Sequence, residues 1–153
     1  MVALLNDQIY QELGIRNAVL RIVNQYIYLS EDAKGRAQDI ALLAEQTDPF
    51  AHVYTSETVR KGSADELITL LNMGFQSRAA GDLAFQLQPN AIFYGPYGST
   101  HGTGYTYDTH VPFLLLGYGV EPGMSHGKQA VTDIVDIVAR IAQLPYAPNS
   151  LVR

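Results

Sequence analysis

The sequence predicts an α/β (or α+β) fold with an open sheet, and three observations lead there. Between residues 18 and 88 the apolar pattern changes in the order strand, helix, strand, helix, strand. The two helical stretches are long enough to act as crossovers between strands, which favours an open sheet over a sandwich. Beyond them, a loop rich in Gly, Thr and Tyr runs into a further apolar stretch, Val111 to Leu116.

Taken in order, residues 4–13 place Leu5, Ile9 and Leu13 at four-residue steps, and Gly14 follows where a helix C-terminal glycine is expected. Ala18 to Leu29 is rich in β-branched and aromatic residues. Its apolar positions do not alternate cleanly, so it reads as one strand buried on both faces, or one with a bulge. Ser30 is a candidate N-cap for a helix over 33–46, whose inner face carries Ala37, Ile40, Ala41 and Ala44. Thr47-Asp48-Pro49 ends that helix. Phe50 to Thr55 reads as a short strand.

Ser63 and Glu66 have capping-box spacing ahead of Leu67, Leu70 and Leu71, and the helix they start is expected to stop near Gly74. Gly81 to Leu87 alternates Leu83, Phe85 and Leu87, which predicts a strand with one buried face, ended by Pro89. Val111 to Leu116 is predicted to be another strand. After a turn at Glu121-Pro122-Gly123, Thr132 is the expected cap of a last helix, with Ile134, Ile137, Val138 and Ile141 on one face. Pro145 stops it, and the tail beyond reads as a surface strap.

Composition narrows the function. At 153 residues the chain makes one domain, or one small domain and part of another. Its net charge of −5, with only 16% charged residues, gives no basic field for a nucleic-acid polymer. Cysteine is absent, which excludes disulfides and thiolate metal ligands. No apolar run approaches the roughly 18 residues of a membrane span and no signal peptide opens the chain, so taken alone the sequence predicts a soluble intracellular protein.

The candidate site is the stretch Tyr94 to Gly119, which holds two of the four histidines. His101 sits between Thr100 and Gly102, with Gly98 and Gly104 close by, so its imidazole is unobstructed and could be offered to a metal. Spacing by itself favours a solvated loop histidine, and zinc needs several donors together. His110, beside Asp108, could be a second ligand or a group behind the first. Asp108 and Thr109 could equally close the loop through side-chain-to-backbone hydrogen bonds. His52 reads as a packed or edge strand histidine and His126 as a surface turn residue. Ser99 and Thr100 are not set in a G-x-S-x-G elbow, and the glycines match no phosphate-binding loop. Tyr94, Tyr97, Tyr105 and Tyr107 could stack on a ligand or pack the loop against its own domain.

The run GSTHGTGYTYDTHVPFLLLGYGVEPG, followed by VTDIVDIVARIAQLP, resembles the C-terminal end of the alkaline phosphatase superfamily. The nearest branch is the phosphodiesterase and nucleotide pyrophosphatase-like group, in particular its zinc-dependent bacterial alkaline phosphatases. NMGFQSRAAGDLAFQLQPN and LRIVNQYIYLS are similar, more weakly, to upstream segments of that group, so the resemblance spans roughly residues 5–145. It implies that His101, the histidine of the THG motif, is a zinc ligand, and that Asp108 and His110 support the loop. It also implies a parent enzyme, periplasmic or secreted, that cleaves phosphate esters through a phosphoenzyme and two zinc ions about 4 Å apart.

The departures from the family pattern shape the expectation. The nucleophile, the paired aspartates, the D-x-x-x-H ligand pair and the S-D-H-G motif are all missing, and Asp136 stands where the family has proline. The chain is therefore expected to be a C-terminal fragment with no catalytic residue of its own, inactive alone and holding no zinc stably. Residues 1–90 would be a cap or insertion-type α/β subdomain, and residues 91–153 the return to the main sheet. A different class of function stays open on the residues alone, a non-catalytic α/β binding or oligomerisation module using the Tyr/Gly-rich loop. Nothing in the sequence specifies an oligomeric state.

Overall fold

A computed structural model describes residues 1–93, 98–127 and 129–145. It divides into two compact units, Met1–Val111 and Pro112–Arg153. The first unit opens with helix α1 (Val2–Leu13), followed by strands β1 (Val19–Val23) and β2 (Tyr26–Leu29) and helices α2 (Glu31–Lys34) and α3 (Ala37–Glu45). Strand β3 (Phe50–Thr55) leads into helices α4 (Ser56–Lys61) and α5 (Glu66–Met73), strand β4 (Leu83–Leu87) and the single turn α6 (Thr106–Thr109).

The predicted α/β architecture is present as a four-stranded antiparallel sheet in the order β1-β2-β4-β3. Because β4 runs antiparallel to both β2 and β3, those two strands run in the same direction on either side of it. The crossover α2–α3 thus joins two parallel strands whose gap is filled by a later strand, a split version of the βαβ unit. The β2–β4 ladder is short, pairing only Tyr26 with Ala84 and Ile27 with Leu83. Asp82 lengthens that joint, since its carboxylate accepts from the Leu29 amide at 2.8 Å and its own amide donates to Ile27 O at 2.9 Å.

One core holds this unit together. Leu5 and Ile9 of α1 and Ile40, Ala41 and Ala44 of α3 bury against Val19, Ile27, Leu29, Phe50, Val53, Leu83 and Phe85. Phe50 and Phe85 meet edge to face at 5.0 Å between ring centres. The α1 reading holds, with Gly14 left-handed at φ 73° and its amide on Tyr10 O.

Several local expectations are corrected. Residues 18–29 are not one strand but a hairpin: Asn24 takes φ 54°, a conformation asparagine tolerates, and the chain reverses there. The predicted helix over 33–46 is two helices, α2 and α3. Ser30 stands at the N-cap of α2, yet its side chain makes no cap bond and its Oγ is buried without a partner among the described residues. The cap of α5 is Asp65, whose Oδ1 accepts from the Ile68 amide at 3.1 Å; Ser63 instead takes the Asp65 amide. Strand β4 is buried on both faces, because Ala84 and Gln86 are buried as well as Leu83 and Phe85.

The second unit holds a 3-10 turn (Val131–Asp133) and helix α7 (Ile134–Ile141). Asp133, not Thr132, makes the bond at its start, taking the Ala130 amide on Oδ2 at 2.9 Å. Residues 112–116 form no ladder, and Val111 in the first unit is likewise outside any strand. A strand needs a neighbour to satisfy its backbone, and no ladder among the described residues includes this stretch. The tail beyond Pro145, expected as a strap, lies outside the described residues.

Candidate functional site

The His101 loop is built from short-range turns and then fastened to the sheet. Within it, Thr103 gives its amide and its hydroxyl to Asp108 Oδ2, at 2.9 and 2.6 Å. These bonds close a small ring across α6. They hold the Asp108 carboxyl below its ordinary value, the Thr103 hydroxyl contributing most, the Thr103 amide next, and the nearby His101 in the same direction. Asp108 thus closes the loop, which is the local role its residue type predicts.

Four further bonds tie the loop to the strands and their flanks. Gln25, in the β1–β2 turn, donates from Nε2 to Gly102 O, and Gln86 of β4 accepts the Gly104 amide on Oε1 at 3.0 Å. The Tyr105 hydroxyl donates to Leu87 O at 2.9 Å, and the Asn90 amide donates to the Tyr107 hydroxyl at 3.2 Å. The rings of Tyr105 and Tyr107 stack 5.4 Å apart. Both tyrosines are therefore engaged in fixing the loop. Tyr94 and Tyr97 lie outside the described residues.

Two glycines are needed for specific reasons. Gly102 takes φ 100°, which L side chains rarely adopt, directly after His101. Gly104 packs so closely that a Cβ there would stand 2.7 Å from Gln86 Oε1 and 2.9 Å from Leu67 Cδ1.

His101 itself is exposed at the outer end of this fastened loop. His110 is exposed too, at the C-cap of α6, where its amide donates to Thr106 O at 2.9 Å. His52 projects from β3 and stacks on Tyr54 at 6.1 Å, and His126 is exposed in the second unit. Among the described residues no three His, Cys, Asp or Glu side chains come together as a metal-binding group. A zinc ion would find the His101 imidazole here, while Asp108 spends its Oδ2 on the two Thr103 bonds. One imidazole of the right chemistry, exposed on an anchored loop, suits a single corner of a zinc site and not a whole one. No helix among the described residues is long and apolar enough to cross a membrane.

Sequence reasoning singled out His101, Asp108 and His110 and missed Gln25, Gln86 and the Thr103–Asp108 link. A glutamine inside the alternating apolar run of β4 was the available signal. Its meaning depends on a loop residue 18 positions away.

No protein-family profile matches the chain. It is 27% identical over 159 aligned positions to a protein named calcium-transporting ATPase from Myroides odoratus, covering 95% of this chain and 28% of that protein. Alkaline phosphatase PafA from Elizabethkingia meningoseptica is 23% identical over 158 positions, covering 96% of this chain and 29% of the enzyme. Alkaline phosphatase PhoV from Synechococcus elongatus is 23% identical over 155 positions, with 96% and 28% covered. The chain thus spans less than a third of the length of the curated relatives it matches. The crystal structure of PafA superposes with a TM-score of 0.76 at 20% identity, over 94% of this chain and 29% of PafA. A substituted variant of PafA superposes with the same TM-score. In sequence and in fold, this chain matches one part of an alkaline phosphatase superfamily protein, as its THG and YDTHVP motifs implied.

Proposed function

We propose that the chain is the C-terminal part of a zinc-dependent phosphoric ester hydrolase, in which His101 is one of the metal ligands. The observation that carries this reading is the presentation of His101. It is an exposed imidazole on a loop fastened to the sheet by Gln25, Gln86, Tyr105 and Tyr107, with no group of three metal donors around it among the described residues. A loop held this firmly around an exposed group suits a ligand that must meet a partner at a set position. The names of the relatives agree in chemistry, two phosphatases and an ATPase, all of which act on phosphoryl groups.

In this reading residues 1–90 flank the site as a cap or insertion-type subdomain, and residues 91–153 return to the main sheet of the longer enzyme. The exposure of the second unit supports the latter. Phe113, Leu114, Leu115 and Leu116 are all exposed, Leu114 and Leu116 at 88% and 102%, an uncovered apolar run. Val135 and Val138 of α7 are about half exposed as well. The 153 residues alone supply neither a nucleophile nor enough donors, so they are not expected to turn over substrate or keep zinc. Two zinc ions, in the intact enzyme, would polarise the phosphoryl group and lower the pKa of a bound nucleophile. Asp108 and His110 support the loop, and the enzyme would work in the periplasm or outside the cell.

The reading is tested on the enzyme-length protein by metal analysis together with assays on p-nitrophenyl phosphate and bis-p-nitrophenyl phosphate. Bound zinc with turnover of either ester is the expected result, and the preferred ester separates phosphatase from phosphodiesterase. A metal-free protein active on neither would contradict it.

A further inference from the structure

We propose that Gln86, assisted by Gln25, is the positioning residue that sets where His101 is presented. Gln86 and Thr47 are the buried polar residues among those described, and Gln86, next to the last residue of β4, is 8% exposed. An enclosed side-chain amide is costly unless its groups are hydrogen-bonded, and an apolar residue of similar shape would serve the sheet at least as well. The sheet does not explain the glutamine. The loop does: Oε1 of Gln86 accepts the Gly104 amide at 3.0 Å, and Gly104 lacks the Cβ that would collide with it.

Gln25 completes the grip from the neighbouring strand pair. Its carbonyl accepts from the Phe85 amide at 3.0 Å, so its backbone is fixed to β4 directly beside Gln86. Its side chain reaches the Gly102 carbonyl, 77 positions along the chain. The two glutamines therefore hold the peptide groups on either side of Thr103, while Asp108 holds Thr103 itself. His101 is the next residue outward. Its backbone position is transmitted from the sheet through Gln86 and Gln25, not set by the loop alone. This role rests on the reading of His101 as a metal ligand, though the grip on the loop does not.

The test is Gln86→Met, which keeps the length of the side chain and removes the acceptor, with Gln25→Met as a second variant at an exposed turn. In the 153-residue chain, amide hydrogen exchange at Gly104 should quicken roughly tenfold in Gln86→Met while Phe85 keeps its protection. In the enzyme-length protein, each variant should weaken zinc retention against a chelator by about 10-fold or more, and added zinc should restore it. Unchanged exchange at Gly104 would overturn the proposal, and so would loss of protection throughout β4, because a general loosening is not positioning. If Gly104 is freed but zinc retention is the same in wild type, Gln86→Met and His101→Ala, the grip stands as a loop anchor. The role toward a metal ligand then fails, and with it the ligand assignment. If His101→Ala loses zinc and Gln86→Met does not, only the positioning role fails.

Discussion

Thr103 gives both its amide and its hydroxyl to one oxygen of Asp108, at 2.9 and 2.6 Å. Hydrogen bonds to the ionised form favour it, so the folded carboxyl titrates below its ordinary value of 3.8. A depressed folded pKa means that the link contributes fully above the unfolded value and is lost as pH falls through the folded one. The loop should therefore stay closed at neutral and mildly acidic pH and open only below the usual carboxylate range. Nuclear magnetic resonance of the Thr103 amide, followed from neutral pH into strong acid, should show that transition. Asp108→Asn should shift the amide at neutral pH, and a Thr103 signal flat through acid would contradict the link.

The cap of α5 separates two neighbouring residues. Asp65→Ala should lower stability by about 1 kcal/mol, the usual cost of losing an N-cap acceptor. Ser63→Ala should cost less, since Ser63 accepts from the Asp65 amide outside the helix. Equilibrium denaturation of both variants settles the order, and a larger effect at Ser63 would restore the capping box that the spacing first predicts.

This pair shows how the sequence is legible and where it is not. Periodicity placed α1 and the inner face of α3, because each buries a regular set of apolar side chains against one core. It misplaced the α5 cap because Ser63 and Asp65 both suit the N-cap and only backbone direction chooses between them. The β1–β2 hairpin was hidden because its turn, Asn24-Gln25, carries no glycine or proline to set it apart from the polar Arg21 within β1. Val111 to Leu116 has the composition of a buried strand, but a ladder needs a neighbour outside the described residues. At the site, His101 stood out through a family motif, whereas Gln25 and Gln86 act on residues distant in sequence and leave no local pattern.

Phe50 is the largest of the fully buried side chains and touches the ring of Phe85. Phe50→Ala should cost about 3–5 kcal/mol, from lost burial plus the cavity left behind. Thermal or denaturant unfolding measures it directly, and a loss under 1 kcal/mol would mean that the core collapses around the gap or is not packed as described.

Gly81 is enclosed where β4 meets β2. A Cβ there would stand 2.7 Å from the Ile27 carbonyl oxygen and 2.8 Å from Tyr26 Cβ. The obstacle includes backbone, so the β2–β4 joint has to shift, and Gly81→Ala should destabilise by about 1–3 kcal/mol. Hydrogen exchange should quicken first at the Asp82 amide, which bonds Ile27. A variant as stable as the parent would show that the joint is looser than its geometry.

The most direct test of the central claim is zinc content and p-nitrophenyl phosphate turnover in the enzyme-length protein carrying His101→Ala, with His110→Ala beside it. If His101 is a ligand, its loss should reduce bound zinc and cut turnover by about 100-fold or more. His110→Ala, in a supporting position, should keep most of both. Near-normal zinc and turnover in His101→Ala would contradict the account.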